Sequence, residues 1–138
     1  MAFRYRRRVQ FAETDMAGLV HFTHFFRYME EAEHALWRAA GMSIATPGEH
    51  RGWPRVSAAF EFKAPLRFED EFEVSVELGK IGRRTLHYDF TIVKGETLIG
   101  TGAIATALVS KIPGEPMKAL DLPDDVVAKL RAAAEAAD

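Results

Sequence analysis

Cysteine is absent from this 138-residue chain. That excludes disulfides, a cysteine nucleophile, CxxC redox chemistry and thiolate zinc sites together. A reducing environment is compatible with such a chain. Asparagine is also absent, glutamine occurs once, and arginine outnumbers lysine 12 to 6, a balance that leans toward a GC-rich or heat-adapted source. No apolar run approaches the roughly 18 residues of a membrane span. The start, Met1 to Arg8, is basic but lacks the apolar stretch of a signal peptide, so a cytoplasmic location is expected. The net charge of −2 gives no whole-chain attraction for a polyanion. Lys and Arg fall in separate short clusters without the interleaved aromatics of a nucleic-acid platform, so no nucleic-acid partner is expected.

What is present suits a soluble globular protein with a core: 48% hydrophobic and 28% charged residues. At about 100–200 residues per domain, 1–138 reads as one domain. Phe3 to Glu13 alternates with period two, the mark of a strand with one wet face. Phe3, Tyr5, Arg7, Val9 and Phe11 share one side, and Arg4, Arg6, Arg8 and Gln10 the other. The four arginines are read as the solvated face rather than as a ligand patch. From Phe22 to Ala40, apolar residues recur every three or four positions, predicting an amphipathic helix of about five turns capped by Gly41. Glu33 falls in the middle of its apolar stripe. We read that stripe as loosely apolar there, rather than Glu33 as a partly buried carboxylate.

Val56 to Lys63, Glu71 to Leu78, Thr85 to Val93 and Leu98 to Ser110 are rich in β-branched and aromatic residues and predict four strands. Their short connections predict antiparallel hairpins throughout. Leu98 to Ser110 is expected to be a long edge of the sheet, a pairing hazard unless covered. Pro123-Asp124-Asp125 opens a short C-terminal helix that runs into the Ala132 to Ala137 tail. The order is β-α-β-β-β-β with a short helix last, an α+β layer architecture.

Gly100-Thr101-Gly102-Ala103-Ile104-Ala105 matches the dinucleotide fingerprint only as letters. That fingerprint needs a strand, a turn and a helix, whereas this run continues as a strand. Gly100 and Gly102 are better read as a bulge or a close backbone approach. His21 and His24 near Asp15 have the residue types of a metal site but no supporting spacing, so no metal is expected.

The segment Glu13 to His24 can carry chemistry. Asp15 sits where the first strand ends, Gly18 allows a sharp turn, and a helix begins just after. A helix start offers unpaired N–H groups and positive potential to a carbonyl or oxyanion. A nearby carboxylate could attack that carbonyl or activate a water. This is an acyl-transfer site without Ser, Cys or metal. An Asp turn before an ordinary helix start is the plainer reading.

The pattern D-x-x-G-x-V before a long aromatic-rich helix resembles the 4-hydroxybenzoyl-CoA thioesterase family of hotdog-fold acyl-CoA thioesterases, which includes the short-chain thioesterases of Tol-Pal gene clusters. Gly82-Arg83-Arg84-Thr85 and Lys118 to Pro123 add weaker likenesses. The resemblance implies an antiparallel sheet wrapped around one central helix, with dimers joined edge to edge or paired into tetramers, and an active site at the dimer interface. It implies acyl-CoA as substrate and no separate cofactor. Asp15 then matches the catalytic carboxylate, Gly18 the turn glycine, and Phe22 the residue whose backbone N–H polarises the thioester carbonyl. Arg83 and Arg84 match residues that meet the coenzyme A phosphates, and Lys118 is a weaker candidate for that duty. Relatives carry Tyr or Trp where His21 stands, so His21 is expected to line the pocket or donate a proton. Glu30 matches a structural Glu. Three alternatives stay open: acyl-carrier-protein substrates, a helix carboxylate at Glu30 or Glu33 as the reactive group, and a non-catalytic acyl-CoA-binding module. The aromatic set Phe22, Phe25, Phe26, Phe60 and Phe62 could line an acyl pocket or fill the core.

Overall fold

The alternation at the start of the chain makes strand β1 (Phe3–Arg8), whose residues are half-buried and exposed in turn. A computed structural model describes residues 2–136. After β1 come a 3-10 turn (Phe11–Glu13), helix α1 (His24–Ala39), β2 (Arg51–Gly52), β3 (Arg55–Phe62), β4 (Glu71–Ile81), β5 (Thr85–Lys94), β6 (Thr97–Ala107), β7 (Val109–Ser110) and α2 (Asp124–Ala136). Five strands form an antiparallel sheet in the order β1-β4-β5-β6-β3, and β2 pairs with β7 beside it. The α+β hotdog architecture expected above is the one observed. Ala137 at the end of the tail lies outside the described residues. No helix of the described residues is long and apolar enough to cross a membrane.

Helix α1 fills the hollow of the sheet because Phe25, Tyr28, Met29, Ala32, Leu36 and Trp37 present one apolar face to it. They meet Phe72, Val74 and Val76 of β4, and Leu86, Tyr88, Phe90 and Ile92 of β5, in one core. The helix stops as the sequence predicts. Gly41 adopts φ +78°, its N–H reaches Arg38 O at 3.0 Å, and Met42 N–H reaches Trp37 O at 2.9 Å. This paired closure satisfies the last carbonyls and needs a left-handed residue at the turn.

Gly100 and Gly102 lie within β6. A Cβ on Gly102 would overlap Met29 Sδ, 2.8 Å from the Phe60 ring and 2.9 Å from Ala59 O. Close approach of helix and edge strand, not phosphate binding, explains these glycines.

Two topological expectations are corrected. The strands Val56 to Lys63 and Glu71 to Leu78 do not form a hairpin, because β3 pairs with β6 while β4 pairs with β1 and β5. Residues 63–70 instead cross from one edge region of the sheet to the other, carrying fully buried Leu66 beneath the start of α1. Nor is Leu98 to Ser110 an edge. It divides into β6, which is interior, and β7, which joins β2. The open edges are β1 and β3, and most of β3 is solvent-exposed on both faces.

Two side-chain expectations are corrected as well. Glu33 is fully buried and held by Arg55 of β3, whose Nη1 donates to Oε2 at 2.9 Å and Nη2 to Oε1 at 2.5 Å. Arg55 also reaches Glu30 at 3.1 Å. Of the four arginines in β1, Arg7 turns inward and pairs with Glu13 and Glu31. Arg4, Arg6 and Arg8 stay exposed and pair with Glu73 and Glu71.

Candidate active site

Register fixes which loops can meet. Arg8 faces Glu71, Lys94 faces Thr97, and Phe62 faces Gly100, so these residues mark one end of the sheet. The Asp15 loop, the start of α1 and the 63–70 crossover gather at that end. Leu19 bridges to Arg67, and Val20 N–H donates to Leu66 O at 2.8 Å.

The loop is closed at its base by His21 N–H donating to Glu13 O at 2.9 Å, one of the bonds that make Thr14 and Val20 an antiparallel bridge. Within it, Asp15 N–H donates to Leu19 O at 2.8 Å and Gly18 N–H to Asp15 O at 3.0 Å. Gly18 sits at φ +80° with open space around its missing Cβ. Its glycine character is therefore required by the turn and not by crowding. Asp15 Oδ1 accepts from Ala17 N–H at 2.9 Å and Leu19 N–H at 3.3 Å. These bonds orient the carboxylate and leave Oδ2 without a partner among the described residues. Asp15 is solvent-exposed.

The start of α1 is more fully satisfied than a bare helix end. His24, Phe25 and Phe26 donate to the carbonyls of His21, Phe22 and Thr23. Thr23 N–H leans on His21 Nδ1 at 3.4 Å. Among residues 21–26, Phe22 alone has a main-chain N–H with no acceptor in the hydrogen bonds of the described residues. Its side chain is 59% exposed, so Phe22 stands before the helix and outside the core, although its spacing fits the apolar stripe.

Beside Phe22 lies an apolar pocket of about 310 Å³. Phe22, Phe25, Phe62, Leu19 and Val20 line it, with the Lys63 to Pro65 turn as its far wall. Phe25 stacks on Phe60 at 5.0 Å and meets Phe62 edge-on at 5.5 Å. The aromatic set thus divides between the two roles: Phe25 is core and pocket wall, Phe22 and Phe62 are wall, and Phe26 and Phe60 pack against the core. His21 is exposed, its Nδ1 lies 2.8 Å from Thr23 Oγ1, and its ring sits 4.8 Å from that of Phe22. It does not line the pocket.

Arg83, Arg84 and Lys118 are at the other end of the sheet. Ile81 pairs with Leu86, and Thr85 with Ala107, around the turn that carries the two arginines. Both pair with one oxygen of Asp121: Arg84 Nε donates to it at 3.0 Å and Arg83 Nε lies 3.1 Å away. Arg84 first, with Arg83, holds the Asp121 carboxyl below its ordinary value. Lys118 is exposed, with its main chain tied to Ser110. The sixteen residues of α1 span roughly 24 Å at about 1.5 Å each. Within one chain, the structure therefore brings together Asp15, Gly18 and Phe22 but not the three cations.

Sequence reasoning missed the residues that hold the loop. Glu13 is buried, and its carboxylate accepts from Arg7 Nη1 at 2.8 Å, Arg7 Nη2 at 2.5 Å, Tyr28 Oη at 2.8 Å and Gln10 N–H at 2.8 Å. Burial pushes its pKa up, but the Arg7, Gln10 and Tyr28 donors outweigh burial and hold it below the ordinary value. Burial and the Glu13 carboxylate push the Tyr28 phenol up. The available signal was parity, since Arg7 shares a face with Phe3, Tyr5 and Val9, and an inward arginine requires a buried carboxylate.

Comparison with known proteins adds four findings to this geometry. The family model described as the thioesterase-like superfamily matches residues 9–130. A solved structure of a hypothetical protein from Aquifex aeolicus superposes with a TM-score of 0.85 at 31% identity, covering 93% of this chain and 98% of that one. Among curated relatives, a 1,4-dihydroxy-2-naphthoyl-CoA hydrolase of Nostoc punctiforme is 27% identical, over 92% of this chain and 85% of its own length. An acyl-CoA thioester hydrolase of Escherichia coli is 26% identical, over 94% and 96%.

Proposed function

This chain belongs to the thioesterase-like superfamily, and from that membership we propose that it hydrolyses acyl-CoA thioesters to a free acid and coenzyme A. One observation carries the reading: the unpaired Phe22 N–H stands beside an apolar pocket, seven residues after a carboxylate with one free oxygen. A thioester carbonyl accepting from that N–H is polarised, and the oxyanion formed on attack is stabilised there. Asp15 Oδ2 either attacks the carbonyl carbon, expelling the thiolate and forming a mixed anhydride that water then cleaves, or takes a proton from the water that attacks. In both cases one water is consumed, and an acid and a thiol are released. No cofactor enters this scheme.

The coenzyme A end requires a second subunit. Antiparallel pairing of the exposed edge β3 with the β3 of another copy reverses one protomer against the other. The Arg83 and Arg84 turn of one chain then lies toward the Asp15 end of its partner, with Lys118 nearby. This supports a dimer, or a tetramer of two dimers, with cations for the nucleotide phosphates supplied in trans. We place the protein in the cytoplasm on the same reading.

The test is hydrolysis over a panel of acyl-CoA and acyl-carrier-protein thioesters, with wild type and Asp15→Asn. Wild type should prefer the coenzyme A esters, and the variant should fold but turn over at least about 10²-fold more slowly. Near wild-type turnover by Asp15→Asn, or no hydrolysis by the wild type, would overturn the proposal. A preference for the carrier-protein esters would replace the substrate and leave the chemistry.

A further inference from the structure

Glu13 stands two residues before Asp15 and is absorbed by no step of that chemistry. It is nevertheless the most heavily bonded carboxylate of the described residues at this end of the sheet. Four donors converge on it: the Arg7 guanidinium from β1 twice, the Gln10 N–H from just before the 3-10 turn, and the Tyr28 hydroxyl from the second turn of α1. Arg7 is itself fixed from behind by Glu31 of α1, at 2.9 Å to Oε1 and 3.1 Å to Oε2, and Tyr5 donates to the same Oε1 at 2.8 Å. Three of the four donors to Glu13 fall on Oε1 and the fourth, Arg7 Nη2, on Oε2, and the residue is buried, so this carboxylate is held by the protein rather than presented to a substrate.

Its position gives it another. The Asp15 loop is closed by three main-chain hydrogen bonds between residues 13 and 21. Glu13 is the first residue of that closure, and its carbonyl takes the N–H of His21, the neighbour of Phe22. The side chain of the same residue takes the Tyr28 hydroxyl, six residues beyond Phe22 on α1. One residue thus fastens both ends of the path from Asp15 to Phe22: the loop through its main chain and the helix through its carboxylate.

We infer that Glu13, gripped by Arg7 and Tyr28, is a positioning residue that sets the Asp15 carboxylate against the Phe22 N–H. The inference rests on the thioesterase reading above. A displacement of about 1 Å between a reacting group and its donor can cost about 10²-fold in rate while substrate binding survives.

Glu13→Gln keeps the size and replaces one acceptor oxygen with an N–H₂ donor that faces other donors. We expect kcat for acyl-CoA hydrolysis to fall about 10- to 100-fold with KM within about threefold. The decisive arm is the Asp15→Asn background, where Glu13→Gln should add less than about twofold, because its effect passes through Asp15. Tyr28→Phe removes one donor, leaves the ion pair, and should lower kcat about threefold or more with unchanged KM. This second variant decides the matter if Glu13→Gln melts below the assay temperature. Losses that multiply in the Glu13→Gln/Asp15→Asn double variant would show a structural role only and overturn the inference, as would unchanged kcat in the single variants. A wild type that hydrolyses no thioester fails earlier and overturns both readings, whereas an active wild type with an indifferent Glu13 overturns this one alone.

Discussion

The pairing of Glu33 with Arg55 can be broken from one side, and the consequence worked out. Arg55→Met keeps much of the stem that packs along α1 but removes both bonds to Glu33 and the one to Glu30. Glu33 is then a fully buried carboxylate without its arginine, with the His34 imidazole Nε2 3.7 Å away. Removing one partner of a buried ion pair costs about 3–5 kcal/mol. The Arg55 side chain keeps 28% of its surface in solvent and lies on an edge strand, so water can follow into the gap, and the low end of the range, about 3 kcal/mol, applies. For a chain of this size each kcal/mol moves the melting temperature by about 3–5 °C, giving a loss of about 10–15 °C. Calorimetry or circular dichroism melts at pH 7 and fixed protein concentration would measure it. Adding Glu33→Gln to Arg55→Met removes the uncompensated charge, keeps an acceptor beside the Tyr88 hydroxyl, and should restore more than half of the loss. A single variant within 2 °C of wild type (roughly the spread of neutral surface changes), or a double variant no better than the single, would refute the reasoning. The same protein separates Glu33 from the chemistry: below its melting point, Arg55→Met should hold kcat within about threefold, whereas a helix-carboxylate enzyme would lose orders of magnitude.

Arg83→Ala/Arg84→Ala should raise KM for acyl-CoA about 10-fold with kcat little changed, less so at high salt, and not at all for an acyl-pantetheine that lacks the nucleotide phosphates. An equal loss on both substrates, or a monomer by light scattering at micromolar concentration, would remove the trans-subunit assignment. Gly102→Ala should destabilise by about 1–3 kcal/mol, read as a lowered melting temperature, because a methyl there meets Met29, Phe60 and the Ala59 carbonyl. A variant as stable as wild type would mean that helix and edge strand separate freely.

Local pattern made the elements legible, and distance in sequence hid their arrangement. Alternation along β1, the three-and-four spacing of α1 and the Gly41 stop all depend on neighbours within a turn or two, and all are found. The strand nevertheless ends at Arg8 rather than Glu13, giving way to the 3-10 turn, and the helix starts at His24 rather than Phe22. The partners of β3 and β4 depend on contacts some forty or more residues away, so the expected hairpin between them is replaced by a crossover. The Asp15, Gly18 and Phe22 segment was legible because its chemistry is contiguous. Its supports were not, since Glu13, Arg7 and Tyr28 meet only after β1 and α1 pack. Both misread side chains, Arg7 and Glu33, are charges on apolar faces. Periodicity assigns a face correctly but says nothing of a partner arriving from another element.

The two edges of the sheet carry one inward arginine each, Arg7 on β1 and Arg55 on β3, and both hold carboxylates of the same helix. An outermost strand is ordinarily the first part of a sheet to fray. Here peeling away either strand leaves a buried carboxylate without its arginine, so fraying carries about 3–5 kcal/mol beyond the lost strand bonds. The hotdog is laced shut along both seams. The β3 margin can therefore remain hydrogen-bond-hungry on its outer side while its inner side stays fixed, a firm template against which another chain can add.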